Sequence, residues 1–481
     1  MPFQSDAETV LSALDEFYSQ SISRQAPVIH QTPLKQLVSE LELNELVRSG
    51  GLTGPRLEQF LQRYLSTATR LHHPGYMGHQ VAAPHYAGSL GSLIDGFTNN
   101  AMAIYEMGPG AASIEYFMIN WLLEKVGWQP APLPPFTPDQ SGTYGAGVLV
   151  NGGSLANLTA LTAARSHIAP EAWEEGNPGD LALLATPEAH YSIARAAGIL
   201  GIGQRNIFPL EVDERGVIRP DRLGAAYERL KASGKRAVAL VASACSTAAG
   251  LYDPLREIGQ FCQKHGIWFH VDGAHGASAL LSGRLRSYLE GVELADSLIW
   301  DAHKMLRVPT LCAAVLVKDG RTLDAAFQQE ASYLFHEKEQ PGFDFINRTV
   351  ECTKAGLGLR LFMVLAALGE KGLAEYVERQ YDLAKEAYDY LSRLPGFELA
   401  VEPQANIVCF RLPGSDERQL AIRDSLIHQG DFYITTADYN GKRYLRLVFM
   451  NPDTSLEDVK RLVAEIQKSF PHPTLHSGQA P

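Results

Sequence analysis

Residues 267–304 read IWFHVDGAHGASALLSGRLRSYLEGVELADSLIWDAHK. Two short apolar runs, 267–271 and 298–300, each lead into an aspartate, Asp272 and Asp301. Neither run alternates apolar with polar residues, the pattern of strands buried on both faces. Outward from this stretch, similar runs recur at 147–150, 181–185, 237–241 and 313–317, with helical spacing between them. Alternating strands and helices over 145–320 predict an α/β domain, a mostly parallel sheet covered by helices.

The flanks differ. Residues up to about 75 read as helices, with apolar residues at 3–4 spacing over 9–18 and 33–47 and breaks at Gly50-Gly51 and Pro55. A Pro- and Gly-rich stretch over 130–147 reads as a linker or surface excursion. Beyond a long helix near 354–368, strands at 397–401, 407–411 and 444–449 lie among helices such as 456–469, predicting a small α+β domain. The expected division is a helical segment over 1–80, a large domain over 81–350 and a small domain over 351–481.

Of the 481 residues, 45% are hydrophobic and 20% charged, an ordinary globular composition. A net charge of -12 disfavours nucleic acid and anionic membranes as partners. Five scattered cysteines without a CxxC pair, and no signal-like N-terminus, point to a reducing cytoplasmic setting. His72, His73, His79 and His85 lack the companions of a metal motif, so no metal site is expected. Glu375 and Arg379, four apart, read as a solvated helix face.

Ligands of open α/β sheets sit beyond the carboxyl ends of the strands. The residues there are Asn151-Gly152-Gly153-Ser154, then 186–190, then 243–247, then Asp272, then Asp301-Ala302-His303-Lys304. Gly152-Gly153-Ser154 opens a helical run, and such a terminus offers free N–H groups to an anion. A nicotinamide fingerprint fits less well: Gly145-Ala146-Gly147 precedes its strand and lacks a third glycine. An amine and a carboxylate at successive strand ends, Lys304 and Asp272, match pyridoxal 5′-phosphate (PLP). That cofactor needs an amine for its aldehyde and a carboxylate for its pyridine nitrogen.

At this point the chain resembles a known family, the group II PLP amino-acid decarboxylases. The resemblance rests on HPGYMGHQ (73–80), YEMGP (105–109), GGSLAN (152–157), HYSIARAAGILGIG (190–203), GLYDPLREI (250–258), WFHVDGAHG (268–276), ADSLIWDAHKML (295–306) and ASYLF (331–335). It implies the type I, aspartate aminotransferase-like fold of PLP-dependent transferases. It also implies an amino-acid substrate and a homodimer with active sites at the interface. Carried over by position, Lys304 holds the aldehyde and Asp272 pairs with the ring nitrogen. Ala274 packs near the ring, His190 stacks on it, and Thr247 lies on the ring hydroxyl side. Gly153, Ser154 and His303 hold the phosphate. Tyr333 returns a proton to Cα after CO2 leaves.

Three departures bear on the phosphate and the substrate. Asp301 stands where the family often has asparagine, and an acid beside a phosphate is unfavourable, so it is expected to point elsewhere or to accept a donor. Lys354 stands where glutamate-type members clamp the substrate carboxylate with arginine, and His79 replaces a glutamine of their substrate pocket. Both are expected to contact substrate. The motifs favour an acidic substrate, aspartate, glutamate or cysteine sulfinate. Diaminobutyrate, an aromatic amino acid, or another PLP reaction such as transamination or oxidative deamination remain alternatives.

Overall fold

The computed structural model describes residues 2–133, 143–327 and 342–470. These fall into two compact units, one of residues 84–381 with 403–405, the other of residues 1–83, 382–402 and 406–481. The N-terminal helices thus group with the C-terminal segment rather than standing apart.

The larger unit is built on seven strands: β1 (Ala146–Val150), β2 (Leu181–Ala185), β3 (Ile207–Pro209), β4 (Arg236–Ser243), β5 (Trp268–Asp272), β6 (Ser297–Asp301) and β7 (Ala313–Val317). Their order is β1-β7-β6-β5-β4-β2-β3. All neighbours pair in parallel except β7, which runs antiparallel to both β1 and β6. β1 therefore points the same way as β6, and the carboxyl ends of β1, β2, β4, β5 and β6 share one edge. β1, β2, β6 and β7 are buried at every residue, which explains their unalternating sequences. Six strands fall where the sequence predicts them. β3 does not stand out in the sequence because it is three residues long, lies at the sheet edge and ends on Pro209.

The chain opens with α1 (Pro2–Ile22), α2 (Leu34–Glu40), α3 (Leu43–Ser49) and α4 (Gly54–Thr67). The helix expected over 33–47 is two helices, because the chain turns at Glu42 with a left-handed φ of 52°. In the larger unit, α5 (Tyr86–Thr98) and α6 (Pro109–Val126) precede the sheet, and α7 (Gly153–Ile168), α8 (Tyr191–Ile199), α9 (Leu223–Ala232), α10 (Leu255–His265) and α11 (Gly320–Ala326) intervene within or follow it. The long helix α12 (Leu357–Ser392) breaks at Gly369, whose φ of 70° a side chain would oppose. Small alanines on α7 (Ala156, Ala160, Ala163, Ala164) let it pack closely on the sheet core formed by Val148, Leu183, Val241, Ile299 and Val315.

In the smaller unit, β8 (Glu398–Leu399), β9 (Ile407–Arg411), β10 (Thr435–Tyr439) and β11 (Lys442–Val448) form an antiparallel sheet in the order β10-β11-β9-β8. Helices α13 (Asp416–Gln429) and α14 (Leu456–Ser469) complete it. Its core includes Phe410, Ile422, Leu447, Phe449 and Leu462.

Candidate active site

Parallel pairing brings the chemistry-bearing strand ends together. Ser243 of β4 stands level with Asp272 of β5, which stands level with Ile299 of β6. Asp301 then closes β6 beside Ala313 of β7, and Ala313 faces Val150 at the end of β1. Asp272, Asp301 and the Asn151–Ser154 turn therefore share the carboxyl edge of one sheet.

Asp272 is held from two sides. Its Oδ1 accepts from the backbone N–H of Ala274 at 3.2 Å, and its Oδ2 accepts from Asn157 Nδ2 at 2.9 Å. Ala274 is itself fixed by its carbonyl, which accepts from the N–H of Asp301. His190 caps the N-terminus of α8; its Nδ1 accepts from the Ser192 N–H at 3.3 Å and meets Ser192 Oγ at 2.7 Å. Burial pushes the His190 pKa down; the charges of Asp272, Lys304 and Asp301 also act on this ring, in opposing senses by sign.

Lys304 lies in the turn after β6, its Nζ 3.3 Å from Asp301 Oδ2. The neighbouring His303 is buried, with Nδ1 2.8 Å from the carbonyl of Cys312 and Nε2 3.7 Å from Asp301 Oδ2. Asp301 does not point away. It is 2% exposed, and its Oδ1 has no hydrogen-bond partner among the described residues. Its carboxylate lies over Gly153, where an added Cβ would come within 2.7 Å of Oδ2. Gly153 and Ser154 form the first turn of α7, preceded by Gly152 at a φ of 99°.

These residues fit pyridoxal phosphate. A glycine cradle at the N-terminus of a 16-residue helix suits a phosphate. Lys304 offers the amine and Asp272 an anchored carboxylate. The orphaned oxygen of Asp301 beside the cradle works against an anion there. Thr247 lies exposed in the turn after β4, on the same sheet edge.

Lys354 is not available to a substrate. Its ammonium is fully enclosed and meets Glu115 Oε1 at 2.6 Å, Glu115 Oε2 at 2.7 Å and the Ala355 carbonyl at 3.3 Å. An ammonium has three donors, and all three have acceptors here. This corrects the carboxylate-clamp expectation: the lysine balances a glutamate on α6 that the sequence reading overlooked. Burial raises the Glu115 pKa, and the adjoining Lys354 opposes that rise. His79 belongs to the smaller unit, where its Nε2 meets Tyr433 Oη at 3.0 Å. Tyr333 lies outside the described residues.

Four residues escaped the sequence reading: Asn157, Ser192, His270 and Ser297 are each 1% exposed or less. A polar residue within an apolar run, such as His270 in WFHV, was the available signal, since buried polar groups require partners. Among the described residues, no helix is long and apolar enough to cross a membrane, and no cluster could hold a metal.

Residues 57–413 match the pyridoxal-dependent decarboxylase conserved domain. The chain is 30% identical over 455 residues to the acidic amino acid decarboxylase GADL1 of Mus musculus, covering 90% of this chain and 80% of that protein. It is 29% identical over 458 residues to the cysteine sulfinic acid decarboxylase of Mus musculus, covering 90% and 88%. It is 26% identical over 434 residues to the L-2,4-diaminobutyrate decarboxylase of Acinetobacter baumannii, covering 85% and 82%. The crystal structure of mouse CSAD superposes with a TM-score of 0.85 at 26% identity, covering 96% of this chain and 98% of that one.

Proposed function

Because the chain belongs to the family of pyridoxal-dependent decarboxylases, and is thus a PLP-dependent amino-acid decarboxylase, we propose that its substrate is an acidic amino acid: aspartate, glutamate or cysteine sulfinate. Bound PLP supplies an aldehyde for the substrate amine and a ring that accepts the electron pair left at Cα when CO2 departs. The observation that carries the site assignment is the placement of Asp272 at the end of β5 and of Lys304 in the turn that follows the adjacent β6, its Nζ 3.3 Å from Asp301 Oδ2.

In this reading Lys304 holds the aldehyde through its amine, and Asp272 keeps the ring nitrogen protonated. His190 lies against the ring and Ala274 packs beside it. Gly153, Ser154 and His303 bind the phosphate, with Thr247 on the ring hydroxyl side. Tyr333 delivers the proton to Cα, and His79 contacts the substrate. Lys354 has no part in substrate binding. The acidic class is supported by the two relatives of 29–30% identity, one named for acidic amino acids and one for cysteine sulfinic acid.

The test is CO2 release from the free amino acids with PLP present. Turnover of aspartate, glutamate or cysteine sulfinate well above the rest is expected. Preference for 2,4-diaminobutyrate or an aromatic amino acid would overturn the substrate class while leaving the reaction. A homodimer is part of the proposal. It is supported by α5, which leaves Tyr86 70%, Leu93 52% and Phe97 68% exposed. Light scattering at the mass of two chains checks it. Cytoplasmic location is proposed from the scattered cysteines, four of the five buried.

A further inference from the structure

Behind Asp272 runs a line of buried polar side chains whose hydrogen-bond polarity is set from the carboxylate, which can only accept from Asn157 Nδ2. At one end, Trp268 Nε1 can only donate, and it reaches Ser297 Oγ at 2.8 Å. Ser297 Oγ also lies 2.8 Å from His270 Nδ1. Burial pushes the His270 pKa down to about 4, so the ring is neutral at physiological pH and keeps one proton. Its Nε2 lies 2.8 Å from Asn157 Oδ1, which can only accept. His270 is therefore protonated on Nε2, and the Ser297 hydroxyl donates to Nδ1. The Asn157 amide is thereby oriented, with Nδ2 directed to Asp272 Oδ2 at 2.9 Å and Ser192 Oγ at 2.8 Å.

The other end demands the same orientation independently. His190 Nδ1 accepts from the Ser192 N–H, so the ring carries no proton there. The Ser192 hydroxyl then donates to Nδ1 and leaves its oxygen to accept from Asn157. Had the Asn157 amide been turned over, its oxygen would face Asp272, and Nδ2 would face the His270 proton.

From this we infer that Asn157 is a positioning residue: oriented by His270, it holds the Asp272 carboxylate as an acceptor and ties it to the His190 cap. None of the two amide hydrogens or the oxygen of Asn157 is left over for another task. The inference deepens the proposed function, since it rests on Asp272 facing the ring nitrogen of the cofactor. Asp272 loses one of its two anchors when Asn157 is changed, and the remaining one, the Ala274 N–H at 3.2 Å, is the longer.

The test uses pyridoxine 5′-phosphate, which carries the ring nitrogen and phosphate but has no aldehyde for Lys304. Its affinity is read by calorimetry. The ultraviolet spectrum of the bound compound reports whether its ring nitrogen is protonated. Asn157→Leu and Asn157→Asp are each expected to weaken binding by roughly 10–100-fold, the loss of one hydrogen bond to a charged group. The fraction with a protonated ring should fall alongside. His270→Leu, which removes the orienting donor, should behave likewise. His270→Gln, which keeps an N–H donor beside Asn157, should retain most of both signals, whereas a general packing defect would not distinguish Leu from Gln. Asp272→Asn is measured in parallel. If Asp272→Asn weakens binding while folded Asn157→Leu and Asn157→Asp do not, the inference fails and the assignment of Asp272 stands. If all three bind as wild type, both fail.

Discussion

Replacing Lys354 with methionine separates a structural lysine from a substrate clamp. Lys354 and Glu115 are both 0% exposed at the side chain, with the ammonium 2.6 and 2.7 Å from the two carboxylate oxygens. Lys354→Met leaves the Glu115 carboxylate buried, with the N–H groups of Leu149 and Gly358 left to meet it. Breaking one side of such a pair costs about 3–5 kcal/mol, since a charge is left in the interior without its partner. The larger unit has about 300 residues. At roughly 2.1 cal/mol/K per residue, the loss lowers the melting temperature by about 5–8 °C. Glu115→Leu alone should cost a similar amount, because it strands the ammonium instead. Lys354→Met with Glu115→Leu should recover much of the loss, giving a coupling of about 2 kcal/mol or more in a double-mutant cycle. Thermal and urea unfolding of the four proteins measures this, and kcat/KM of the folded fraction is measured beside it. A Lys354→Met enzyme of unchanged stability whose KM for substrate rises tenfold would refute the structural assignment and restore the clamp.

Three further outcomes are expected. His270 has a folded pKa of about 4 against roughly 6.5 unfolded, so the unfolded chain binds more protons between these values. Its contribution is complete above pH 6.5 and is lost as pH falls towards 4; urea midpoints should fall across that window, and His270→Gln should flatten the slope. Asp301→Asn should tighten PLP binding by about tenfold in equilibrium dialysis, because it removes a carboxylate with an orphaned oxygen from beside the phosphate cradle; weaker binding would show that the carboxylate assists the cofactor. Tyr333→Phe should cut amine formation by about 10²–10⁴ while PLP remains bound, with aldehyde, ammonia and peroxide formed under air; amine at the wild-type rate would remove Tyr333 from the reaction.

Much of the large sheet was legible because burial on both faces writes a strand directly as an unbroken apolar run, as in AGVLV and AAVLV. The reversal of β7 was not, since the same residues suit a buried strand of either direction. β10, TTADY, escaped because it is half-buried and mostly polar. Asp272 stands out in the sequence because it closes an apolar run, and Lys304 because it lies four residues beyond the next one, on the edge where ligands of such sheets bind. Lys354 was misread because a positive charge looks the same in sequence whether it meets a substrate or a glutamate 239 positions away. Asp301 was expected to turn aside or to accept a donor; it stays over Gly153 and meets the Lys304 ammonium at 3.3 Å. The Asn157 network joins α7, β5, β6 and α8, so its members become neighbours only after the sheet is paired.

The central claim, that Lys304 is the amine that holds the cofactor, is tested most directly by borohydride reduction of the PLP-loaded protein followed by peptide mapping. The account predicts one phosphopyridoxyl group per chain, on Lys304 in the peptide containing ADSLIWDAHK. Stoichiometric adduct on any other lysine, with Lys304 unmodified, would contradict it.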